Sequence, residues 1–209
     1  MLNLIIVLSA AYLLGSIPTS YIMGKIVKNI DIRNFGSGNV GATNAFRIMG
    51  VKIGIATLLV DIGKGFLAVK IVTFMISDPT NIMLIATGLI AILGHIFTIF
   101  LKFKGGKGVA TSAGVFIALV PVPIAITLVV FIITVWISKF VSLGSILAAI
   151  TLLVTELIVN INNSFADIEM LIFVFIISLF IILRHKANIK RLLKGNENKI
   201  NFKKNRTEL

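Results

Sequence analysis

Apolar residues lie along this chain in long unbroken blocks, not in the strict alternation of a half-buried strand or the one-sided stripe of a surface helix. The blocks cover residues 2–24, 51–76, 81–101, 109–138, 141–160 and 168–183. Most are long enough to cross a hydrocarbon core of about 30 Å as a helix. The fourth is too long for one span, because roughly 30 residues make a helix of about 45 Å. It also contains Pro121-Val122-Pro123, and each proline pushes the residue before it out of the helical region. Two spans are therefore expected there, each shorter than about 17 residues and dependent on tilting, local thinning or shielding by neighbours.

Charge placement decides between six and seven spans. With seven, the basic segments 28–52, 102–107, Lys139 and 184–206 all fall on one side. The connections Ser77-Asp78-Pro79-Thr80-Asn81, Pro121-Val122-Pro123 and the segment 160–167 fall on the other, without one Lys or Arg. The positive-inside rule then predicts an all-α integral membrane protein with seven transmembrane helices, its N-terminus outside and its C-terminus cytoplasmic.

Composition agrees with this class. A hydrophobic content of 57%, only 13% charged residues and a mean hydropathy of +1.05 are outside the range of soluble domains. No positive segment precedes the first run, so a retained span is expected there and not a cleaved signal peptide. The absence of Cys excludes disulfides, thiolate metal sites and thiol catalysis. The net charge of +12 belongs to the cytoplasmic loops and tail, where it sets topology and attracts anionic membrane lipids; nucleic acid is not an expected partner. One membrane domain is expected over residues 1–198, followed by a basic, frayed tail over 199–209.

Three polar clusters share the expected cytoplasmic face. In the loop after the first span, Gly36-Ser37-Gly38-Asn39 and Gly41-Ala42-Thr43-Asn44 allow positive φ and bring backbone N–H groups close to a ligand. Ser37, Asn39, Thr43 and Asn44 add neutral donors, and Arg47 adds a planar cationic fork suited to phosphate. After the third span, Gly105, Gly106 and Gly108 surround Lys107, with Thr111 and Ser112 where the next helix begins. Amides, a helix N-terminus and a lysine can act there on an anion. This is not a nucleotide-binding P-loop, because Lys107 is followed by Gly and no βαβ context exists. The third cluster begins at Arg184; His185 and Asn188 lie three apart and share a face if the last span continues helically, with Arg191 nearby.

The chemistry is narrowed by what is missing. Neither His95 nor His185 is followed five residues later by Asp, and no paired-aspartate motif of the phospholipid alcohol transferases is present. No metal site or cofactor is expected. An acyl-phosphate donor suits such a site, since its mixed anhydride is already activated and the protein mainly positions reactants and stabilises charge. The other reading, a small membrane transporter of a phosphorylated or lipid anion, draws on Asp61, Lys64 and Lys70 within the second run. Asp61 and Lys64, three apart, can neutralise each other, and Glu156 is expected near the hydrated outer boundary.

The stretches 15–25, 33–47, 94–111, 141–146 and 184–198 together resemble the bacterial membrane acyltransferase family that moves a fatty acyl group from acyl-phosphate to glycerol 3-phosphate. The resemblance covers nearly the whole chain. It implies a seven-helix fold in the bacterial inner membrane, a cytoplasmic active site, and lysophosphatidic acid and phosphate as products. It also implies roles: Ser37, Arg47, Lys107, His185 and Asn188 catalytic; Gly38, Asn39, Thr43, Asn44, Gly105, Gly106, Gly108 and Thr111 binding substrate or phosphate; His95, Ser142 and Glu197 as structural supports. One departure is Thr98, where the family is expected to carry proline, which bears on helix geometry and not on chemistry. The oligomeric state is not legible.

Overall fold

The computed structural model describes residues 2–200. These form helices α1 (Leu2–Ser16), α2 (Thr19–Lys28), α3 (Ala42–Met49), α4 (Val51–Met75), α5 (Asn81–Ile96), α6 (Val109–Leu119), α7 (Pro121–Ser138), α8 (Val141–Asn162), α9 (Ile168–Arg184) and α10 (Lys186–Leu193). Two 3-10 turns, Ile32–Asn34 and Ile99–Leu101, complete the regular structure, and the described residues contain no strand. They group into two compact units, one reaching to Ala118 and the other covering Leu119–Ile200.

In the first unit the opening apolar run is not one helix. Pro18 supplies no N–H, and the chain turns by 42° between α1 and α2. The carbonyl of Ser16 at this break accepts a hydrogen bond from the Thr98 hydroxyl, and the Ser16 hydroxyl donates to the Gly94 carbonyl at 3.2 Å. Thr98, at φ −64°, occupies a backbone conformation that proline also adopts, and its hydroxyl makes a hydrogen bond that a proline could not.

Close helix approach in this unit depends on glycine. A methyl at Gly15 would overlap the backbone of Ala91, and one at Gly94 would overlap the Tyr12 carbonyl, so α1 and α5 pack backbone to backbone. Gly65 and Gly114 do the same between α4 and α6, against Thr111 and Ile62. Small residues at such contacts are how membrane helices gain van der Waals contact without a hydrophobic driving force.

In the second unit Pro121-Val122-Pro123 begins α7 instead of forming the connection before it. Pro121 occupies its first turn, where a missing N–H costs nothing. The result is unequal: α6 has 11 residues and α7 has 18, so the second half is longer than the sequence led us to expect. Helix α8 packs against α7, with Gly144 admitting Val135 and Phe131, and against α9. Lys199 lies over the Phe140 ring, and the amide of Ile200 donates to the Lys139 carbonyl at 2.8 Å. The remainder of the expected tail, 201–209, lies outside the described residues.

Three helical segments, Asn81–Leu101, Pro121–Ser138 and Val141–Asn162, are long and apolar enough to cross a membrane, or up to five if the bent pairs α1/α2 and α9/α10 each count as one span. Helix α4 has the length, at 25 residues, but carries Lys52, Asp61, Lys64 and Lys70. Glu156, expected to be hydrated, is 3% exposed and takes a hydrogen bond from Asn160, so its carboxylate is packed within the protein.

Candidate active site

The polar segment after α2 is a loop that folds on itself around one amide. Asn44, 1% exposed, donates to the carbonyls of Ile32 (3.3 Å) and Phe35 (3.0 Å), and its Oδ1 accepts from the Ser37 amide at 3.0 Å. We expected Asn44 to meet a substrate; the structure uses its amide to shape the loop that presents Ser37. Gly36 (φ +61°) and Gly38 (φ +69°) take the left-handed conformation that the turn requires. Ser37 is exposed at its apex, and Asn39 and Thr43 are half-buried.

The base of the loop is anchored on both sides. The guanidinium of Arg33 binds the Asp31 carboxylate at 2.6 Å and stacks over the Tyr21 ring of α2 at 5.1 Å. That hydrogen bond holds the Asp31 pKa at about 2. Beyond the loop, Arg47 stands half-buried in the last turn of α3, not in irregular chain as its glycine-rich surroundings suggested. Helix α3 is fixed by Ala45 and Met49 in the core and by the Phe46 ring resting on Gly54 of α4.

The second cluster lies at the end of α5. Lys102 and Phe103 both adopt positive φ, at 53° and 61°, which reverses the chain at a cost of order 1–3 kcal/mol for each such non-glycine residue. The chain then runs back against α5: Gly105 N–H donates to the Ile96 carbonyl at 2.9 Å and Gly106 N–H to the His95 carbonyl at 3.2 Å. Both amides thus serve to cap α5. These glycines were expected to offer N–H groups to an anion; what they provide instead is close approach. A methyl at Gly105 would overlap the His95 carbonyl, and one at Gly106 would overlap the His95 imidazole and stand 2.7 Å from the Val40 carbonyl oxygen. Val40 belongs to the first loop, three residues beyond Ser37, so the first two clusters meet here. Lys107 is half-buried beside this contact, and Gly108 (φ +85°) starts α6 with its carbonyl accepting from Ser112 N–H at 2.8 Å. Thr111, expected among the phosphate contacts, is wholly buried, and its carbonyl abuts Gly65 of α4.

Beneath this loop lies a buried ionic cluster that sequence reasoning recognised only in part. Asp61 accepts from Lys64 at 2.8 Å, as their spacing predicts. It also accepts from the Thr19 hydroxyl at 2.8 Å and lies 3.8 Å from His95 Nδ1, while Lys64 donates to the Ile17 carbonyl at 2.8 Å. The pair therefore joins the α1/α2 break, α4 and the end of α5 directly under Gly106. Buried charges persist only when paired and hydrogen-bonded. The missing signal was long range: Thr19 and His95 are 42 and 34 residues from Asp61 in sequence.

In the second unit the chain bends by 55° at His185, so α9 does not continue through the third cluster. His185 and Asn188 are nonetheless both buried, at 3% and 6% exposure. His185 Nδ1 lies 2.8 Å from the Ile181 carbonyl, an acceptor that requires the proton on Nδ1 and leaves the basic lone pair on Nε2. Asn188 donates to Glu197 Oε1 at 2.8 Å, Ser142 donates to the same oxygen at 3.1 Å, and Arg191 Nε donates to Oε2 at 2.7 Å. Burial alone would raise the Glu197 pKa, but the hydrogen bonds from Asn188, Arg191 and Ser142 hold it below the usual glutamate value.

Comparison with known proteins identifies the family. Residues 5–195 match the family model described as glycerol-3-phosphate acyltransferase. Curated proteins named glycerol-3-phosphate acyltransferase are similar over full length: that of Chlorobium luteolum is 42% identical, covering 98% of this chain and 99% of its own, and that of Chlorobium chlorochromatii is 43% identical, covering 98% and 100%. Among solved structures, PlsY (YgiH), an integral membrane glycerol 3-phosphate acyltransferase, superposes in its glycerol 3-phosphate form with a TM-score of 0.84 at 37% identity, covering 95% of this chain and 96% of that one. Its lysophosphatidic acid form superposes with a TM-score of 0.80.

Proposed function

Because the chain belongs to the glycerol-3-phosphate acyltransferase family, and so acylates glycerol 3-phosphate to lysophosphatidic acid, we propose that its acyl donor is an acyl-phosphate and that the first two clusters carry the transfer. The observation behind this reading is the contact of the Ser37 loop with the Lys107 loop at Val40 and Gly106. It joins, within one unit, the loop that exposes the Ser37 hydroxyl to the loop that carries Lys107, and α3, which ends with Arg47, follows the first loop directly; a hydroxyl and two strongly basic residues are groups suited to phosphate and to a developing oxyanion.

In this proposal Arg47 and Lys107 neutralise substrate phosphate, and Gly38, Asn39, Thr43, Gly105, Gly106 and Gly108 form the walls around it. The glycerol 1-hydroxyl attacks the acyl carbonyl, a carbon–oxygen bond forms, and Ser37 donates to the tetrahedral oxyanion. The bond from that carbon to the phosphate oxygen then breaks and phosphate leaves. The hydroxyl proton passes to a base, for which the sequence offers His185 and the chemistry offers the substrate's own phosphate. Asn188, Ser142 and Glu197 hold His185's segment in place, and His95 braces Gly106.

The topology that goes with this reading is seven spans in a bacterial inner membrane, N-terminus outside, C-terminus and catalytic loops cytoplasmic. The charge asymmetry of the loops supports it. Transport is disfavoured because Asp61 and Lys64 pair with each other in the interior instead of lining a route.

The test is direct assay of the purified protein. Palmitoyl-phosphate with glycerol 3-phosphate is expected to yield phosphate and lysophosphatidic acid without added metal, with the palmitoyl thioester a poor donor. Ser37→Ala is expected to lower turnover by about 100–1000-fold, as loss of an oxyanion donor does, and Arg47→Ala to weaken substrate binding as well. Wild-type kinetics in both folded variants would make the loop structural and this mechanism wrong.

A further inference from the structure

The bend between α9 and α10 has two faces with opposite properties. His185 and Asn188 point inward and are buried, whereas Leu183, Arg184, Lys186, Ala187 and Lys190 are exposed. These five outward residues line an open cavity of about 500 Å³. Three of them are cationic and none is acidic. The carboxylate of this segment, Glu197, is buried and engaged by Ser142, Asn188 and Arg191. The cavity therefore concentrates positive charge on the face turned away from His185 and Asn188.

Its apolar part identifies the kind of anion. Leu183 is 61% exposed on the cavity wall, and Leu193, at the end of α10, is 84% exposed. Such side chains next to a cluster of cations match the boundary between acyl chains and headgroups, which is where the end of an apolar helix such as α9 lies. The cavity is also far larger than an inorganic phosphate.

We propose that this cavity is a discrete binding site for the headgroup of an anionic phospholipid of the surrounding bilayer. The lipid phosphate sits among Arg184, Lys186 and Lys190, and the first methylenes of its chains lie on Leu183 and Ala187. None of its lining residues is assigned a part in the transfer, and the proposal does not depend on the identity of the acyl donor. Its occupant sets an anion beside the cationic outer side of the bend that carries His185.

The experiment is a titration of the purified full chain, in a neutral detergent, with phosphatidylglycerol or phosphatidylcholine, bound lipid being counted by native mass spectrometry. Phosphatidylglycerol is expected to bind more tightly than phosphatidylcholine. The double variant Lys186→Gln, Lys190→Gln is expected to weaken phosphatidylglycerol about 30-fold, at about one Lys-equivalent of surface attraction each. Lys186→Arg, Lys190→Arg keeps the charge and the binding, which separates lost contacts from misfolding. Lys25→Gln, Lys28→Gln removes two exposed cations on α2 and is expected to leave binding unchanged. Equal binding of the two lipids, an equal loss in the α2 variant, or displacement of the lipid by millimolar inorganic phosphate would each overturn the proposal.

Discussion

The contact between the two loops proposed to carry the transfer rests on Gly106, and Gly106→Ala is the sharpest test of it. The added methyl overlaps the His95 imidazole and comes within 2.7 Å of the Val40 carbonyl oxygen. The imidazole cannot simply swing away, because its Nδ1 side faces Asp61 at 3.8 Å inside a fully packed ionic cluster. The Val40 oxygen is backbone and moves only with the Ser37 loop. Overpacking of this kind costs about 1–3 kcal/mol where the surroundings hold. Where they yield, the loops separate, and a misplacement of about 1 Å costs about 100-fold in rate. The assay is kcat/KM for glycerol 3-phosphate at saturating palmitoyl-phosphate, with Tm measured in the same detergent. A Tm lowered by a few degrees with kcat/KM down by about 100-fold is expected. Adding His95→Ala removes the imidazole overlap but not the carbonyl one, so the double variant is expected to recover only part of the loss. Near-wild-type kcat/KM and Tm in Gly106→Ala would refute the contact as the basis of the site.

Three further outcomes follow from the geometry. Lys64→Met leaves Asp61 buried without its cation and is expected to destabilise by about 3–5 kcal/mol, while Lys64→Met with Asp61→Asn recovers much of that; equal Tm values for wild type and Lys64→Met would contradict the buried pair. Glu197 is held below the ordinary glutamate value of about 4.3, so its contribution is complete above that pH and is lost as pH falls through the lower folded value; acid unfolding followed by circular dichroism should lose this limb in Glu197→Gln. Single cysteines at Asn163 and Asn198, in a chain that has none of its own, are expected to label from opposite sides of intact cells, with Asn198 cytoplasmic; labelling from the same side removes the seven-span topology.

Much of this protein is legible in its sequence for local reasons. Helices α4, α8 and α9 fall within two residues of the apolar runs that predict them, because a backbone in lipid must satisfy its own hydrogen bonds and only a helix does so within one segment. The Asp61–Lys64 pair follows from spacing alone, and the positive φ at Gly36 and Gly38 from the residue type. The enzyme class was legible because its motifs recur at characteristic positions along nearly the whole chain. What only the tertiary structure decided are matters of partnership. Asn44 shapes the Ser37 loop, the amides of Gly105 and Gly106 cap α5, Thr111 packs on Gly65, and Thr98 satisfies the Ser16 carbonyl at the break between α1 and α2. Each residue has the donors or the small size that a ligand site also needs. Which partner takes them is settled by chain segments 7 to 82 residues away, through burial that makes an unpaired polar group too costly to leave.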